Sequence, residues 1–154
     1  MIKKYLMPII AISALSLVLL TSFTQAALAC DGNEKLIFSC TTTKQMQVEV
    51  CDAGKTISYA FGKKGAKPEM ALSVPRAAAT THQWNGMGRY ITYAVNIPNG
   101  KTIYSVFTSF DRSDDLSVDA GVNVETNGKH IATVKCKPET VQHNIEGIDL
   151  RAAE

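Results

Sequence analysis

The sequence predicts an all-β protein: a single small antiparallel domain of about eight strands in a meander, closed into a barrel or folded into a sandwich. Short segments rich in Val, Ile, Tyr, Phe and Thr recur from Lys35 onward, with turn residues between them. β-Branched and aromatic residues favour strands, and no stretch has the apolar period of a long helix. All four cysteines follow residue 29, and an even number of cysteines in an exported domain predicts two disulfides.

The turn residues divide the chain into strands and predict that neighbouring strands pair in sequence order. Asp52-Ala53-Gly54, Pro98-Asn99-Gly100 and Asn127-Gly128 are hairpin signals, and the last two place Asn-Gly where a tight turn requires a positive φ. The segment from Pro75 to Thr81 is either a loop or one helical turn. The predicted strands are 35–42, 46–51, 55–61, 69–74, 89–97, 101–110, 117–126 and 129–136.

Alternation along the strands predicts one buried face throughout. The inward set is Val48 and Val50; Ile91, Tyr93 and Val95; and Val118, Ala120, Val122 and Val124. The outward set is Gln47, Glu49, Asp119, Asn123 and Glu125.

The same alternation bears on how the cysteines pair. Cys40 shares a face with Leu36 and Phe38, and Cys136 shares one with Ala132 and Val134, so both point inward. If the first and last strands meet, Cys40 pairs with Cys136 and leaves Cys30 to pair with Cys51. Four cysteines allow three connectivities, and the other two remain open.

Residues 1–26 have the features of a secretory signal peptide. Lys3 and Lys4 precede an apolar run, and small and polar residues follow it up to Ala26. Cleavage after Ala29 is the alternative; it would leave Cys30 at the new N-terminus, where a lipid is a minority possibility. The predicted organisation is a leader at 1–26, a β-barrel or β-sandwich domain at 30–136 and a tail at 137–154. The tail docks on the domain, pairs with a second subunit as a homodimer, or is partly disordered.

Length and charge limit the partners. The mature chain of about 125 residues has room for one modest core. Removing Lys3 and Lys4 leaves 14 basic against 14 acidic residues. Nucleic acid and anionic membranes select proteins with a basic surplus. We therefore expect no nucleic-acid partner, and no membrane partner unless Cys30 carries a lipid. We predict a periplasmic location.

The stretch from His82 to Tyr90 predicts a structured binding loop. It contains the chain's single Trp, two glycines and an Arg-Tyr pair. Gly86 and Gly88 allow a sharp turn, and Trp, Tyr and Arg often dominate binding energy in interfaces. The alternative is that Trp84 belongs to the core and the glycines only form a hairpin.

Signals for catalysis, metals and cofactors are weak, and we predict that the protein is not an enzyme. The three histidines, His82, His130 and His143, have no accompanying catalytic motif. The cysteine spacing does not fit zinc, and residues 111–115 lack the spacing of a calcium loop. Gly86-Met87-Gly88 lacks the context of a nucleotide site.

Four segments together resemble the periplasmic lysozyme inhibitors, most closely the inhibitors of invertebrate-type (i-type) lysozymes. They are Leu-Ile-Phe-Ser-Cys at 36–40, Val-Glu-Val-Cys-Asp at 48–52, His-Gln-Trp-Asn-Gly-Met-Gly-Arg-Tyr at 82–90 and Gly-Val-Asn-Val at 121–124. The plan is also similar to that of chicken-type lysozyme inhibitors, with matches at 38–40, 87–90 and Cys136. That family joins its early and late cysteines, which agrees with pairing Cys40 and Cys136. The serine of that family's loop is missing here.

The resemblance implies a β domain whose loop enters the substrate cleft of a lysozyme and protects bacterial peptidoglycan from a host enzyme. Arg89 and Tyr90 are the first candidate contacts, although Arg89 could instead brace the loop. A second loop would correspond to residues 109–115, with Arg112 the leading contact. The full predicted lysozyme-binding set is Trp84, Asn85, Gly86, Met87, Gly88, Arg89, Tyr90, Ser109 and Arg112.

A binding module is the alternative from another functional class. Trp84 and Tyr90 could form an aromatic platform for a sugar ring, which would make the protein a carbohydrate- or peptidoglycan-binding module without inhibitory activity.

Overall fold

The computed structural model describes residues 30–113, 115 and 117–153. The leader at 1–26 and the alternative cleavage site at Ala29 lie outside the described residues, as do Asp114, Leu116 and Glu154. The strands are β1 (Lys35–Thr41), β2 (Met46–Asp52), β3 (Thr56–Lys63), β4 (Met70–Pro75), β5 (Thr80–His82), β6 (Tyr90–Asn99), β7 (Thr102–Asp111), β8 (Val118–Thr126), β9 (Lys129–Lys135), β10 (Gln142–His143) and β11 (Arg151–Ala152). Short 3-10 helices span Arg76–Ala78 and Pro138–Thr140.

The all-β prediction is confirmed, and all eight predicted strands are present with ends shifted by at most two residues. Three further strands, β5, β10 and β11, were not predicted. They contain only two or three residues each, too few to show an alternating pattern. The segment after Pro75 forms one turn of 3-10 helix.

The described strands form two open sheets rather than one closed ring. The first sheet has the order β10-β1-β2-β3-β4, and the second has the order β11-β5-β6-β7-β8-β9. All pairings are antiparallel except that of β11 with β5. Buried side chains from both sheets form a single core cluster, which is the arrangement of a sandwich. Its largest fully buried members include Phe38, Ile57 and Ile97.

Turn chemistry fixes the registers of the hairpins. Asn127 and Gly128 have φ values of 52° and 71° between the paired Thr126 and Lys129, as a two-residue type I′ turn requires. The prediction that Asn99 takes a positive φ in the β6–β7 turn is wrong. Asn99 pairs with Thr102 as the last residue of β6, so the turn residues are Gly100 and Lys101, and the positive φ of 61° falls on Gly100 alone.

Both predicted disulfides are present. Cys40 is bonded to Cys136, and Cys30 is bonded to Cys51. The first lies where the end of β1 meets the end of β9, beside a bridge between Thr42 and Cys136. Because the Cys30 sulfur is bonded to Cys51, it is not available for lipid attachment. The two disulfides indicate an oxidising environment, extracellular or periplasmic.

The prediction that Glu49 points to solvent is wrong. Glu49 is only 7 % exposed, because the chain from Cys30 to Glu34, tied to β2 by the Cys30–Cys51 bond, lies over the outer face of that strand. Burial, followed by the charges of Asp31 and Glu34, raises the pKa of the Glu49 carboxyl.

The tail packs onto both sheets. β10 extends the first sheet beside β1, and β11 extends the second beside β5. Between these strands, Ile145 is fully buried in the common core.

In the described part of the chain, no helix is both long and apolar enough to span a membrane.

Candidate functional site

The segment between β5 and β6, residues 83–89, forms a folded loop that continues into Tyr90. Gly86 and Gly88 have φ values of 88° and 89°, so the prediction of glycine-dependent angles is confirmed. The Met87 backbone N–H donates to Asn85 Oδ1 at 3.1 Å, and Trp84 Nε1 donates to the Met87 carbonyl at 2.7 Å. These bonds fix the turn from within the loop.

Trp84 anchors the loop to the domain. Its side chain is half-buried and packs against the common core. The guanidinium of Arg112 lies 5.3 Å from the centre of its ring, at the distance of a cation–π contact. Trp84 is therefore partly a core aromatic and partly the base of the loop.

Arg89 is bonded to Asp111 at the point where the loop joins β6. Its Nε lies 2.9 and 3.0 Å from the two carboxylate oxygens, and Nη2 lies 2.6 Å from Oδ2. These bonds and one from the Ser113 backbone hold the pKa of the Asp111 carboxyl well below its ordinary value. The role of Arg89 as an intramolecular brace, left open by the sequence, is present in the structure.

Arg112 connects the two predicted segments. Its Nη1 donates to the Gly88 carbonyl at 3.1 Å, and its backbone N–H donates to the Arg89 carbonyl at 3.0 Å. The turn after β7 thus supports the loop from one side. Ser109 lies farther along β7, opposite Thr92, and its hydroxyl is 3.0 Å from the Thr92 hydroxyl on the outer face of the sheet.

Two large apolar side chains of the loop face solvent. Met87 is 71 % exposed and Tyr90 is 52 % exposed. The Arg89 guanidinium lies 5.4 Å from the centre of the Tyr90 ring. The loop therefore presents a thioether and a phenol on a backbone that is fixed at both ends.

The tail also supports the loop, through Gln83, which the sequence did not single out. Gln83 Nε2 donates to the Ile145 carbonyl at 3.0 Å, and Gln83 Oε1 accepts from the Gly147 N–H at 2.9 Å. Since more than 60 residues separate the partners in the chain, no local pattern could have indicated this contact.

The potential metal ligands and the histidines among the described residues do not form a site near this loop. The one grouping of three potential metal ligands among the described residues is Cys30, Glu49 and Cys51, and its cysteines are bonded to each other. His82, His130 and His143 lie on three different strands, β5, β9 and β10.

Comparisons of the chain with protein-family models, with curated proteins and with solved structures found no significant match.

Proposed function

We propose that this protein is an exported, periplasmic inhibitor of lysozyme, with i-type lysozymes as the first target. Residues 84–90 insert into the substrate cleft and block access to peptidoglycan, and the protein itself performs no chemistry. The observation that carries the proposal is a loop braced on both sides that exposes Met87 and Tyr90.

Bracing supports this mode of binding because a loop that is already ordered loses little conformational entropy when it binds. Four attachments act on this loop. Gln83 bonds to the tail, and Trp84 packs on the core. Arg89 bonds to Asp111, and Arg112 bonds to the Gly88 carbonyl. Protease inhibitors and other preorganised binders likewise change little in shape on binding.

The exposed side chains indicate how the contact is made. Met and Tyr are enriched at protein interfaces, and a central aromatic anchor commonly supplies much of the binding energy. Met87 and Tyr90 are the leading contact residues. The region where chicken-type lysozyme inhibitors carry a serine is occupied here by Gly86 or Met87. A direct bond from that serine to a catalytic carboxylate is thus not part of this proposal.

The charge of Arg89 contributes in a limited way. A glycosidase cleft is lined by two carboxylates, and a guanidinium pairs well with a carboxylate. Asp111 already engages Nε and Nη2 of Arg89, which leaves Nη1 to donate to the enzyme. Arg89 therefore acts first as a positioning residue and second as a contact.

The test is a titration of the purified mature protein into i-type and chicken-type lysozymes acting on bacterial cell walls. We expect loss of lysis at micromolar inhibitor or below. Met87→Ala and Tyr90→Ala should each weaken inhibition about tenfold or more. Ile131→Ala is the matched control, because Ile131 is also a large exposed apolar residue, 62 % exposed, but lies on β9.

Full lysis by both lysozymes at micromolar protein would overturn the proposal. Retention of the protein on peptidoglycan without lysozyme, combined with absence of inhibition, would instead favour the binding-module alternative.

A further inference from the structure

Three Asn-Gly pairs occur in the described part of the chain. They are Asn85-Gly86 in the loop, Asn99-Gly100 at the β6–β7 turn and Asn127-Gly128 at the β8–β9 turn. An asparagine followed by glycine is prone to spontaneous loss of its side-chain amide, because glycine has no Cβ to obstruct attack by its backbone nitrogen. All three asparagines are exposed to solvent. The backbone around each pair therefore decides which of them reacts.

The Asn85 side chain is held in the position that this reaction needs. Its Oδ1 accepts the Met87 backbone N–H at 3.1 Å, which closes an Asx turn over Gly86. Such a turn restricts χ1 and ψ of Asn85, the two torsions that set the distance between its Cγ and the Gly86 nitrogen. Ordering the two reacting groups in advance raises the rate of an intramolecular attack.

The same hydrogen bond activates the carbonyl that is attacked. The Met87 N–H points at Asn85 Oδ1, where negative charge collects when a nucleophile adds to Cγ, and a donor at that place stabilises the charge. The nucleophile is accessible, since no acceptor within the described residues engages the Gly86 N–H. Nothing lies within 4 Å of a Cβ built on Gly86, so this side of the pair is open to water.

The other two pairs lie in hairpins that oppose the reaction. Asn99 is the last residue of β6 and pairs with Thr102. Asn127 has a φ of 52° in its two-residue turn, and its N–H donates to the Lys101 carbonyl at 3.0 Å. Within the described residues, neither asparagine side chain makes a hydrogen bond that would hold it over the following glycine. Each must distort a paired turn to bring its Cγ to the glycine nitrogen.

We propose that Asn85 is a spontaneous modification site, at which the chain reacts with itself and then with water. The Gly86 nitrogen gives its proton to a base and bonds to Asn85 Cγ, the Cγ–Nδ2 bond breaks, and the departing nitrogen takes up a proton and leaves as ammonia. Water then opens the resulting succinimide at either carbonyl carbon, which gives aspartate or isoaspartate. The net change is uptake of water and release of ammonia, with no oxidation or reduction.

The modification ends binding by the loop, a consequence that rests on the proposed inhibition of lysozyme. Both products place a carboxylate in the loop, and a glycosidase cleft is already lined by two carboxylates. Like charges brought together at an interface oppose association. Isoaspartate also adds a carbon atom to the main chain within the turn that presents Met87. The inhibitory activity of the protein therefore decays with its age.

The experiment ages the folded, disulfide-bonded protein in mildly alkaline buffer and maps aspartate and isoaspartate by peptide mass spectrometry. We expect conversion at Asn85 to be about 3- to 10-fold faster than at Asn99 or Asn127, the factor that one hydrogen bond supplies. In reduced, urea-unfolded protein the three rates should be similar. Conversion at Asn85 no faster than at the other two in the folded protein would overturn the inference. A preference for Asn85 that persists in urea would also overturn it, because the neighbouring sequence rather than the turn would then be responsible.

A pair of variants tests the effect of the new charge on binding. Asn85→Asp should weaken inhibition of lysozyme about tenfold or more. Asn99→Asp, which adds the same charge at the other end of β6, is the matched control and should inhibit like the parent. Equal inhibition by Asn85→Asp and the parent would overturn the loss of binding. If the parent itself does not inhibit lysozyme, only the proposed function fails, since the mapping of Asn85 does not involve lysozyme.

Discussion

Arg89 and Asp111 are 22 residues apart in the chain and form a two-pronged ion pair at the base of residues 84–90. The β6–β7 register brings them together, because Tyr90 lies directly opposite Asp111. The pair ties the end of the loop to the end of β7. Arg112, the next residue, bonds to the loop backbone from the same turn.

Asp111→Asn should weaken inhibition several-fold while leaving the melting temperature nearly unchanged. The neutral amide cannot accept the same charge-assisted bonds from Arg89, and an exposed ion pair contributes little to global stability. Cell-wall lysis and thermal unfolding measure the two effects. Asp52→Asn, which breaks the pair between Asp52 and Arg76, is the control and should leave inhibition unchanged; equal loss in both variants would contradict the bracing role.

Acid should loosen the loop only well below the pH at which an ordinary carboxyl is protonated. Folding lowers the pKa of Asp111 well below its ordinary value of 3.8, chiefly through the bonds from Arg89, so the ion pair of the folded protein persists below about pH 4 and is lost only as the pH falls through the folded-state pKa. Acrylamide quenching of the single Trp should therefore be the same at about pH 4 as at pH 7 and should increase only in more acidic solution. In Asp111→Asn quenching should be high already at pH 7, and a parent-like acid response in that variant would contradict the assignment.

Gly86→Ala and Gly88→Ala should each destabilise the fold by about 1 kcal/mol. Both residues have a positive φ with nothing within 4 Å of an added Cβ, so backbone strain is the whole cost. Gly54→Ala is matched to them, with a φ of 81° and the same open space, but lies in the β2–β3 turn. All three should lower the melting temperature similarly, and only the two loop variants should weaken inhibition. Equal inhibition by all three would show that loop shape is unimportant.

Glu49→Gln should stabilise the protein at neutral pH. Burial raises the pKa of Glu49, so the folded state binds more protons than the unfolded state above about pH 4, and stability falls as pH rises. The neutral amide removes that cost, and the melting temperature at pH 7 should rise by a few degrees. At about pH 3, where the carboxyl is protonated in both states, the difference should shrink. A lower melting temperature at pH 7 would mean that the charge is stabilised by contacts the pKa shift does not reflect.

The two disulfides should contribute unequally to the free energy of unfolding. In the chain-entropy model, the separation of 96 residues between Cys40 and Cys136 corresponds to about 5 kcal/mol, and the separation of 21 between Cys30 and Cys51 to about 3 kcal/mol. Urea unfolding of Cys40→Ala/Cys136→Ala and Cys30→Ala/Cys51→Ala should therefore show the larger loss for the first pair. A larger loss for the second pair would show that packing in the native state, rather than loop closure in the unfolded chain, determines how much each disulfide stabilises the protein.

The glycine-dependent shape of the loop was accessible from sequence, but the ion pair at its base was not. A turn centred on Asn99 and Gly100, as the sequence predicted, would place Tyr90 opposite Ser109, since a hairpin's register follows from its turn. The turn residues are Gly100 and Lys101, and Tyr90 lies opposite Asp111. The bond from Gln83 to the tail and the burial of Glu49 were not accessible, because each depends on a segment distant in sequence that lies over the sheet.

The sequence by itself determined the eight long strands and the positive-φ turn at Asn127 and Gly128, because alternation and turn chemistry act between near neighbours. It favoured one pairing of the cysteines but left the others open, because that pairing depends on whether the first and last strands meet. Only the tertiary structure decided the short strands β5, β10 and β11 and the attachment of the tail. Those features depend on pairings between distant segments, for which two or three residues carry no periodic signal.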